Sequence, residues 1–168
     1  MSISSSDWSK FCQRITVNAS INDLYKAWTT QDGLERWFLR KAEFTKPDGS
    51  VRPRNESIQK GDQYSWLWYG HPDSVEEQNQ VLEANGKDQL EFTFTETCAV
   101  RVHIKSEAGE NVVELWQENI PLEDDPKRNL HVQCSVGWTF YLANLKSILE
   151  GGIDLRNKNE NIKSVVNS

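Results

Sequence analysis

The stretch QLEFTFTETCAVRVHIKS, residues 89–106, decides the fold. Apolar side chains stand at every second position of each half, first as Leu90, Phe92 and Phe94, then as Val100, Val102 and Ile104. Because alternate residues of a strand share a face, each half predicts a strand with one apolar side. Two such strands joined by a short connection predict an antiparallel sheet with one buried and one exposed side.

Further strands are predicted on both sides of this stretch, from runs rich in β-branched and aromatic residues. Turn signals at Asn85-Gly86 and Ala108-Gly109 join neighbouring strands into an antiparallel meander. The additional predicted strands cover residues 8–18, 39–45, 64–69, 78–84 and 112–119.

A long connection separates two of these strands. Residues 46–60 hold two prolines and show no apolar periodicity, which predicts an exposed loop. Lysine and arginine outnumber the acidic residues in this loop. The loop is therefore a candidate contact for an acidic partner, although solvated surface charge is the commoner case.

Two short helices are predicted after the first strand. Ser20 and Asp23 form a capping pair of the S-x-x-D type, and apolar residues at helical spacing follow. Asp32 and Gly33 interrupt this pattern, so a second short helix is expected to begin after them.

A long final helix is predicted from Pro126, behind an Asp125 cap, to the stop signal Gly151-Gly152. At about 1.5 Å per residue it reaches about 35 Å, enough to cross a domain. Its apolar stripe places Trp138 toward the sheet. The stripe consists of Cys134, Trp138, Tyr141, Leu142, Leu145 and Leu149.

The pattern as a whole predicts a single α+β domain over residues 8–152. A curved antiparallel sheet wraps around the long C-terminal helix, with the two short helices after the first strand. Residues 153–168 are polar and lack periodicity, so they are predicted to form a loosely attached tail.

Composition narrows the classes of protein further. The net charge of −6 opposes binding to phosphate backbones, and no apolar run is long enough to span a membrane. The first ten residues lack the features of a secretory signal, and the three cysteines form no CxxC pair. We therefore expect a cytoplasmic protein with reduced thiols, no nucleic-acid partner, no metal and no cofactor.

Two groups of residues resemble a known family. The string ASINDLYKAWTT, residues 19–30, with Leu34, Trp37 and Phe38, resembles the opening of START-like proteins of the SRPBCC superfamily. The string GDQYSW, residues 61–66, and the final helix from Val136 to Gly152 are similar to the C-terminal domain of activators of heat-shock protein 90 ATPase.

The resemblance implies a helix-grip (START-like, Bet v 1-like) fold with a hydrophobic cavity between the sheet and the last helix. It also implies a possible chaperone partner and a link to the stress response. Inward-facing residues of the predicted strands and helices are the candidates for a ligand-binding site. These candidates are Trp37, Tyr64, Trp66, Trp68, Leu90, Phe92, Val102, Leu115, Gln117, Trp138 and Tyr141.

The same residues allow a second interpretation, since large aromatic side chains also fill protein cores. Gln117 is a polar group on an apolar face, where it can orient a ligand or be satisfied near the strand end. Gly137 interrupts the helical stripe, and either close packing, the favoured reason, or room for a ligand explains it.

No catalytic residue is predicted, because the sequence lacks hydrolase, nucleotide-phosphate and dinucleotide motifs. The leading hypothesis is a non-catalytic START-like domain that binds an apolar or amphipathic small molecule. One alternative is a protein-interaction module resembling the chaperone activators, with a collapsed cavity. The other is a small cyclase-like enzyme.

Overall fold

A computed structural model describes residues 7–95, 97–122 and 129–166. Within these residues the chain forms seven strands and three helices. In chain order they are β1 (Phe11–Thr16), α1 (Ile21–Thr29), α2 (Gln31–Trp37), β2 (Lys41–Thr45), β3 (Gln63–Leu67), β4 (Glu77–Ala84), β5 (Gln89–Phe94), β6 (Cys98–Glu107), β7 (Glu110–Glu118) and α3 (Leu130–Leu149).

All seven strands join one curved antiparallel sheet in the order β1-β7-β6-β5-β4-β3-β2. The alternation in the central strands is the predicted one, with Val100, Val102 and Ile104 fully buried. The β6–β7 hairpin turns at Ala108 and Gly109, which both have positive φ, as a two-residue turn of this type requires. The helix-grip prediction is confirmed.

The two short helices meet at Thr30 rather than at Asp32 and Gly33, which lie inside α2. The Thr30 backbone is extended and ends α1, while its hydroxyl accepts a hydrogen bond from the Gly33 amide at 2.9 Å and so caps α2. Ser20 caps α1 as predicted, accepting from the Asp23 amide at 3.0 Å. Thr30 therefore separates the two helices, because it is both the C-terminal cap of α1 and the N-terminal cap of α2.

Helix α3 crosses the concave side of the sheet. Its described part begins at Leu130 behind an Asn129 cap, and the predicted start at Pro126 lies outside the described residues. The stop at Gly151 is confirmed by its positive φ. Trp138 is 2% exposed and faces the sheet, as the helical phase predicts.

The loop at residues 46–60 is largely exposed, as its composition predicts, but Arg52 and Ile58 within it are buried. Arg52 is 4% exposed, and its guanidinium donates two hydrogen bonds to the fully buried Asp62 carboxylate at 2.6 and 2.9 Å. Arg54 pairs with Asp32 and Glu35 of α2. Most of the positive charge in the loop is therefore neutralised within the chain, which removes the argument for an acidic partner.

The tail is also more firmly attached than its polar composition predicts. Arg156 is 6% exposed and donates to the carbonyl oxygens of Glu35, Arg36 and Leu39 at 2.8–3.1 Å. These carbonyls lie at or just beyond the C-terminal end of α2, where a helix presents unpaired acceptors and partial negative charge. Arg156 therefore caps α2 from a distant segment of the chain.

Asn144 of α3 joins the same arrangement. Its fully buried side-chain amide donates to the Trp37 carbonyl at 2.7 Å and accepts from the Leu155 backbone amide at 2.8 Å. Asp154 accepts from both Asn144 and Arg156. We call Asn144, Asp154 and Arg156 the tail latch, since together they bind α2, α3 and the tail to one another.

We predict that Arg156→Ala lowers the free energy of unfolding by about 2–3 kcal/mol. The substitution leaves buried carbonyl oxygens and the Asp154 carboxylate without their charged donor. Urea unfolding measures this loss. Lys158→Ala is the matched control: Lys158 also pairs with Asp154 but is half exposed, so its removal costs less than about 0.5 kcal/mol.

The pH dependence of stability tests the same latch. Burial alone raises the pKa of the Asp154 carboxyl, but hydrogen bonds from Arg156 and Lys158 outweigh it and hold the pKa below its ordinary value. A lowered folded-state pKa stabilises the fold above the unfolded-state pKa, and this contribution is lost between about pH 4 and pH 2. Wild type and Arg156→Ala with the same acid dependence would contradict the latch.

Candidate functional site: an apolar pocket beside helix α3

An apolar pocket of about 200 Å³ opens between α3 and the ends of β3 and β5. We call it the α3 pocket. Its walls come from one face of the helix, from the residue that follows α2, and from the two strand ends. The lining residues are Phe38, Trp68, Phe94, Thr95, Leu130, Gln133, Cys134, Gly137, Trp138 and Tyr141.

Aromatic rings form most of the pocket wall. Phe38 packs against Trp138 with ring centroids 5.1 Å apart and edge-on against Tyr141 at 4.8 Å. Phe94 lies 5.3 Å from Trp138 on the sheet side. Such contacts add to the stability gained from burial and hold the rings in defined positions. The pocket therefore has a firm wall on the inner side.

A buried hydrogen bond fixes Trp138. Its indole nitrogen donates to the side-chain oxygen of Gln117 on β7 at 2.9 Å, and both residues are almost fully buried. An indole N–H can only donate, so this contact also decides which end of the Gln117 amide carries the oxygen. Trp138 is thereby held both by packing and by a polar contact with β7, an interior strand next to the edge strand β1.

Gly137 leaves open space on the helix side of the α3 pocket. A Cβ atom built on Gly137 would meet nothing within 4 Å, so close packing, which the sequence favours, is wrong. The residue lines the α3 pocket, and the absence of a side chain there leaves room beside Trp138. The alternative reason, room for a ligand, is the one that fits this geometry.

The pKa values of two titratable groups in the pocket are raised, which moves them further above neutral pH. Burial raises the pKa of the Cys134 thiol, and hydrogen bonds with Gln117 and Thr95 oppose the shift only in part. Burial raises the pKa of Tyr141 to about 12, with Arg156 opposing it. Both groups stay protonated and uncharged at neutral pH, so the pocket presents a neutral apolar lining.

Comparison with known proteins identifies the family. A family model described as activator of Hsp90 ATPase homolog 1-like protein matches residues 18–150. The chain belongs to this family. No curated protein matches the sequence.

Several solved structures share the fold at low sequence identity. The protein SSP2350 from Staphylococcus saprophyticus is 14% identical, with a TM-score of 0.67 and coverage of 88% of this chain and 96% of that one. The Aha1 dimer from Colwellia psychrerythraea is 17% identical, with a TM-score of 0.64 and coverage of 85% and 97%.

DynU16, a protein of the dynemicin biosynthetic locus, is 14% identical with a TM-score of 0.67, and the match covers 89% of this chain and 50% of that one. At these identities the comparisons establish the fold alone. Among the described residues of this family member, no helix combines the length and apolarity needed to cross a bilayer.

Three of the sequence-predicted site residues line the α3 pocket, namely Trp68, Trp138 and Tyr141. Gln117 lies behind the pocket wall, in contact with Trp138. The remaining candidates fill the core elsewhere, and each is at most 3% exposed. These are Trp37, Tyr64, Trp66, Leu90, Phe92, Val102 and Leu115.

The core is filled because its aromatic rings pack directly on one another. Tyr64 and Trp66 stack with ring centroids 3.9 Å apart, and Phe92 packs edge-on against Trp66 at 5.2 Å. The open space therefore lies at one end of the sheet. The helical spacing of Leu130, Cys134, Gly137 and Tyr141 could have located it, since these residues share a face of α3.

Two further depressions on the surface have volumes of about 540 Å³ each. One is a polar groove across β2, β3 and β4, where Ser65 and Gln78 both donate to Glu76. The other, which we call the outer groove, runs along the solvent side of α3 and is lined by Val132, Val136 and Phe140, with Val166 from the tail. The outer groove adjoins the α3 pocket at Gly137.

We predict that Gly137→Ala raises the free energy of unfolding by about 0.5–1 kcal/mol. Alanine is the better helix former, and its methyl group meets no neighbour here. Urea unfolding measures the gain. Gly33→Ala is the matched control with the opposite sign, because a Cβ there would lie 2.3 Å from the Lys26 carbonyl oxygen. Destabilisation by Gly137→Ala would contradict the open space beside this residue.

Proposed function

We propose that the chain is a non-catalytic START-like domain that binds a hydrophobic or amphipathic small molecule in the α3 pocket. The fold and the family support a ligand-binding or interaction domain in general. The observation that carries the narrower proposal is the α3 pocket itself, an apolar site whose helical wall is cleared by Gly137. The proposal takes residues 8–152 as the ligand-binding domain, which Asp154 and Arg156 of the tail latch stabilise, and places it in the cytoplasm, consistent with three free cysteines.

The geometry limits the ligand to a small one. The pocket volume of about 200 Å³ is below that of most drug-sized sites, so a molecule of one or two rings fits it. Aromatic walls favour a flat apolar ligand, which gains contact area on both faces. One end of the ligand remains at the outer groove, where a polar group stays in water.

The cyclase-like alternative has little support in the pocket. General acid–base catalysis is most efficient when a group titrates near the working pH. The two pocket groups with shifted pKa values, Cys134 and Tyr141, are both moved further from neutrality. The lining therefore favours binding over proton transfer.

We predict that the two-ring fluorophore α-naphthylamine binds with a Kd of about 10 μM, equivalent to about −7 kcal/mol. Its absorption overlaps tryptophan emission, and Trp68 and Trp138 lie in the pocket wall. Binding should therefore quench tryptophan emission in a saturable way. Fluorescence titration gives the Kd.

Two variants test whether α-naphthylamine binds in the α3 pocket or in the outer groove. Gly137→Leu fills the α3 pocket and should weaken binding at least about tenfold. Val136→Asp alters only the outer groove and should leave the Kd unchanged. An affinity that survives Gly137→Leu, or that is lost in Val136→Asp, would reject the α3 pocket as the binding site.

The second candidate function is a protein-interaction module with a chaperone partner. The outer groove favours it, because Val132, Val136 and Val166 are 46–68% exposed and form a contiguous apolar surface. Apolar surface of this kind is characteristic of protein interfaces. The family description, which refers to activation of the Hsp90 ATPase, supports the same candidate.

If this second function is correct, Val136→Asp should abolish co-precipitation of the protein with Hsp90, because it puts a charge into the centre of an apolar contact. Val51→Asp is the matched control, an equally exposed valine on the loop at residues 46–60. Equal capture by wild type and both variants would remove the outer groove from consideration.

A further inference from the structure

The side-chain amide of Gln117 is buried with one end unpaired. Its oxygen accepts from the Trp138 indole, which fixes the orientation of the amide. Its nitrogen carries two N–H donors, which interact with the weakly accepting Cys134 thiol but make no hydrogen bond of ordinary geometry with any described residue. Buried polar groups are nearly always hydrogen-bonded, so an unpaired amide in an otherwise ordered core calls for a function.

The unpaired amide lies directly behind the α3 pocket. Trp138, which binds the amide oxygen, forms part of the pocket wall. Cys134 also lines the wall. It is close enough to Gln117 for the amide to lower the pKa of its thiol. Gln117 itself does not line the pocket, so a ligand atom reaches the amide nitrogen only when the Cys134 side chain turns aside.

Two other buried polar atoms of the aromatic core are also hydrogen-bond donors without a partner among the described residues. The indole nitrogens of Trp28 and Trp66 are buried and have no partner among the described residues. The Trp28 and Trp138 rings are 5.9 Å apart, and Phe94 lies between Trp66 and Trp138, within 6.4 Å of each. All three unpaired groups around Trp138 are donors, so this end of the site is suited to an acceptor.

The charge near this end favours a neutral acceptor. The Glu77 carboxylate accepts from the backbone amide of Thr95 at 2.8 Å, and Thr95 lines the α3 pocket. Glu77 also raises the pKa of Tyr64 and of Cys134, second to burial for Tyr64 and as a minor contribution for Cys134. A carboxylate ligand would meet this negative charge, whereas a carbonyl oxygen would not.

We propose that the ligand of the α3 pocket is a neutral apolar molecule with a carbonyl group, whose oxygen accepts a hydrogen bond from the Gln117 amide. This inference rests on the proposed small-molecule function and specifies the chemical class of the ligand. The aromatic walls hold the apolar part, and Gln117 sets the direction of the carbonyl.

Two compounds of nearly equal shape test the inference. Acetophenone carries a carbonyl oxygen where α-methylstyrene carries a methylene group, and both fit a pocket of about 200 Å³. Calorimetric titration gives their Kd values, and displacement of α-naphthylamine shows that they occupy the same site. The change in the ratio of the two affinities between two variants isolates the hydrogen bond, because the hydration of each compound is the same in both measurements.

The ratio is compared in Trp138→Phe and in the double variant Trp138→Phe/Gln117→Met, both checked for cooperative thermal unfolding. Both variants lack the indole donor, so they differ only at residue 117. We expect the preference for acetophenone to be about tenfold greater when Gln117 is present. An equal ratio in the two variants overturns the carbonyl inference and leaves the small-molecule function standing.

A measurement on wild type avoids any loss of folding in the variants. Acetophenone should shift the NMR resonance of the Gln117 side-chain amide, and α-methylstyrene should leave it nearly unchanged. Benzoate should bind at least about tenfold more weakly than acetophenone, and tighter binding of benzoate would reject a neutral ligand. If neither acetophenone nor α-methylstyrene displaces α-naphthylamine from wild type, the proposed function fails together with the inference.

Discussion

The hydrogen bond between Trp138 and Gln117 is the contact on which the arrangement of sheet and helix depends. It joins the middle of α3 to the interior strand β7, and the aromatic rings around Trp138 leave its indole little freedom to move. Apolar packing alone tolerates small shifts of a helix along a sheet, whereas a directional bond between two buried partners does not. The position of α3 in turn decides where the core closes and where the α3 pocket remains open.

Local pattern was sufficient to predict most of the fold. Period-two alternation located the central strands, and Gln117 was correctly placed on the inward face of β7 because it continues that alternation. The errors lie where distant residues decide. The pair between Arg52 and Asp62 ties an otherwise exposed loop to the core, and Arg156 anchors a tail without periodicity. Neither contact leaves a local signal in the sequence.

The site was harder to predict than the fold, because sequence shows which residues face inward but not how tightly they pack. Tyr64 and Trp66 were reasonable candidates for a ligand site, yet they stack on each other and leave no space. The decisive features of the α3 pocket are small or hidden ones, the missing side chain of Gly137 and the unpaired end of the Gln117 amide. Both depend on three-dimensional surroundings that no spacing rule describes.

Because Arg156 packs onto the end of α2, the folded unit extends beyond the region that the family model matches. The family model ends at residue 150, whereas the guanidinium that satisfies the last carbonyl groups of α2 belongs to residue 156. The unit recognised by sequence similarity is thus shorter than the unit that folds. A single substitution at Arg156 therefore disturbs the end of a helix that lies about 120 residues earlier in the chain.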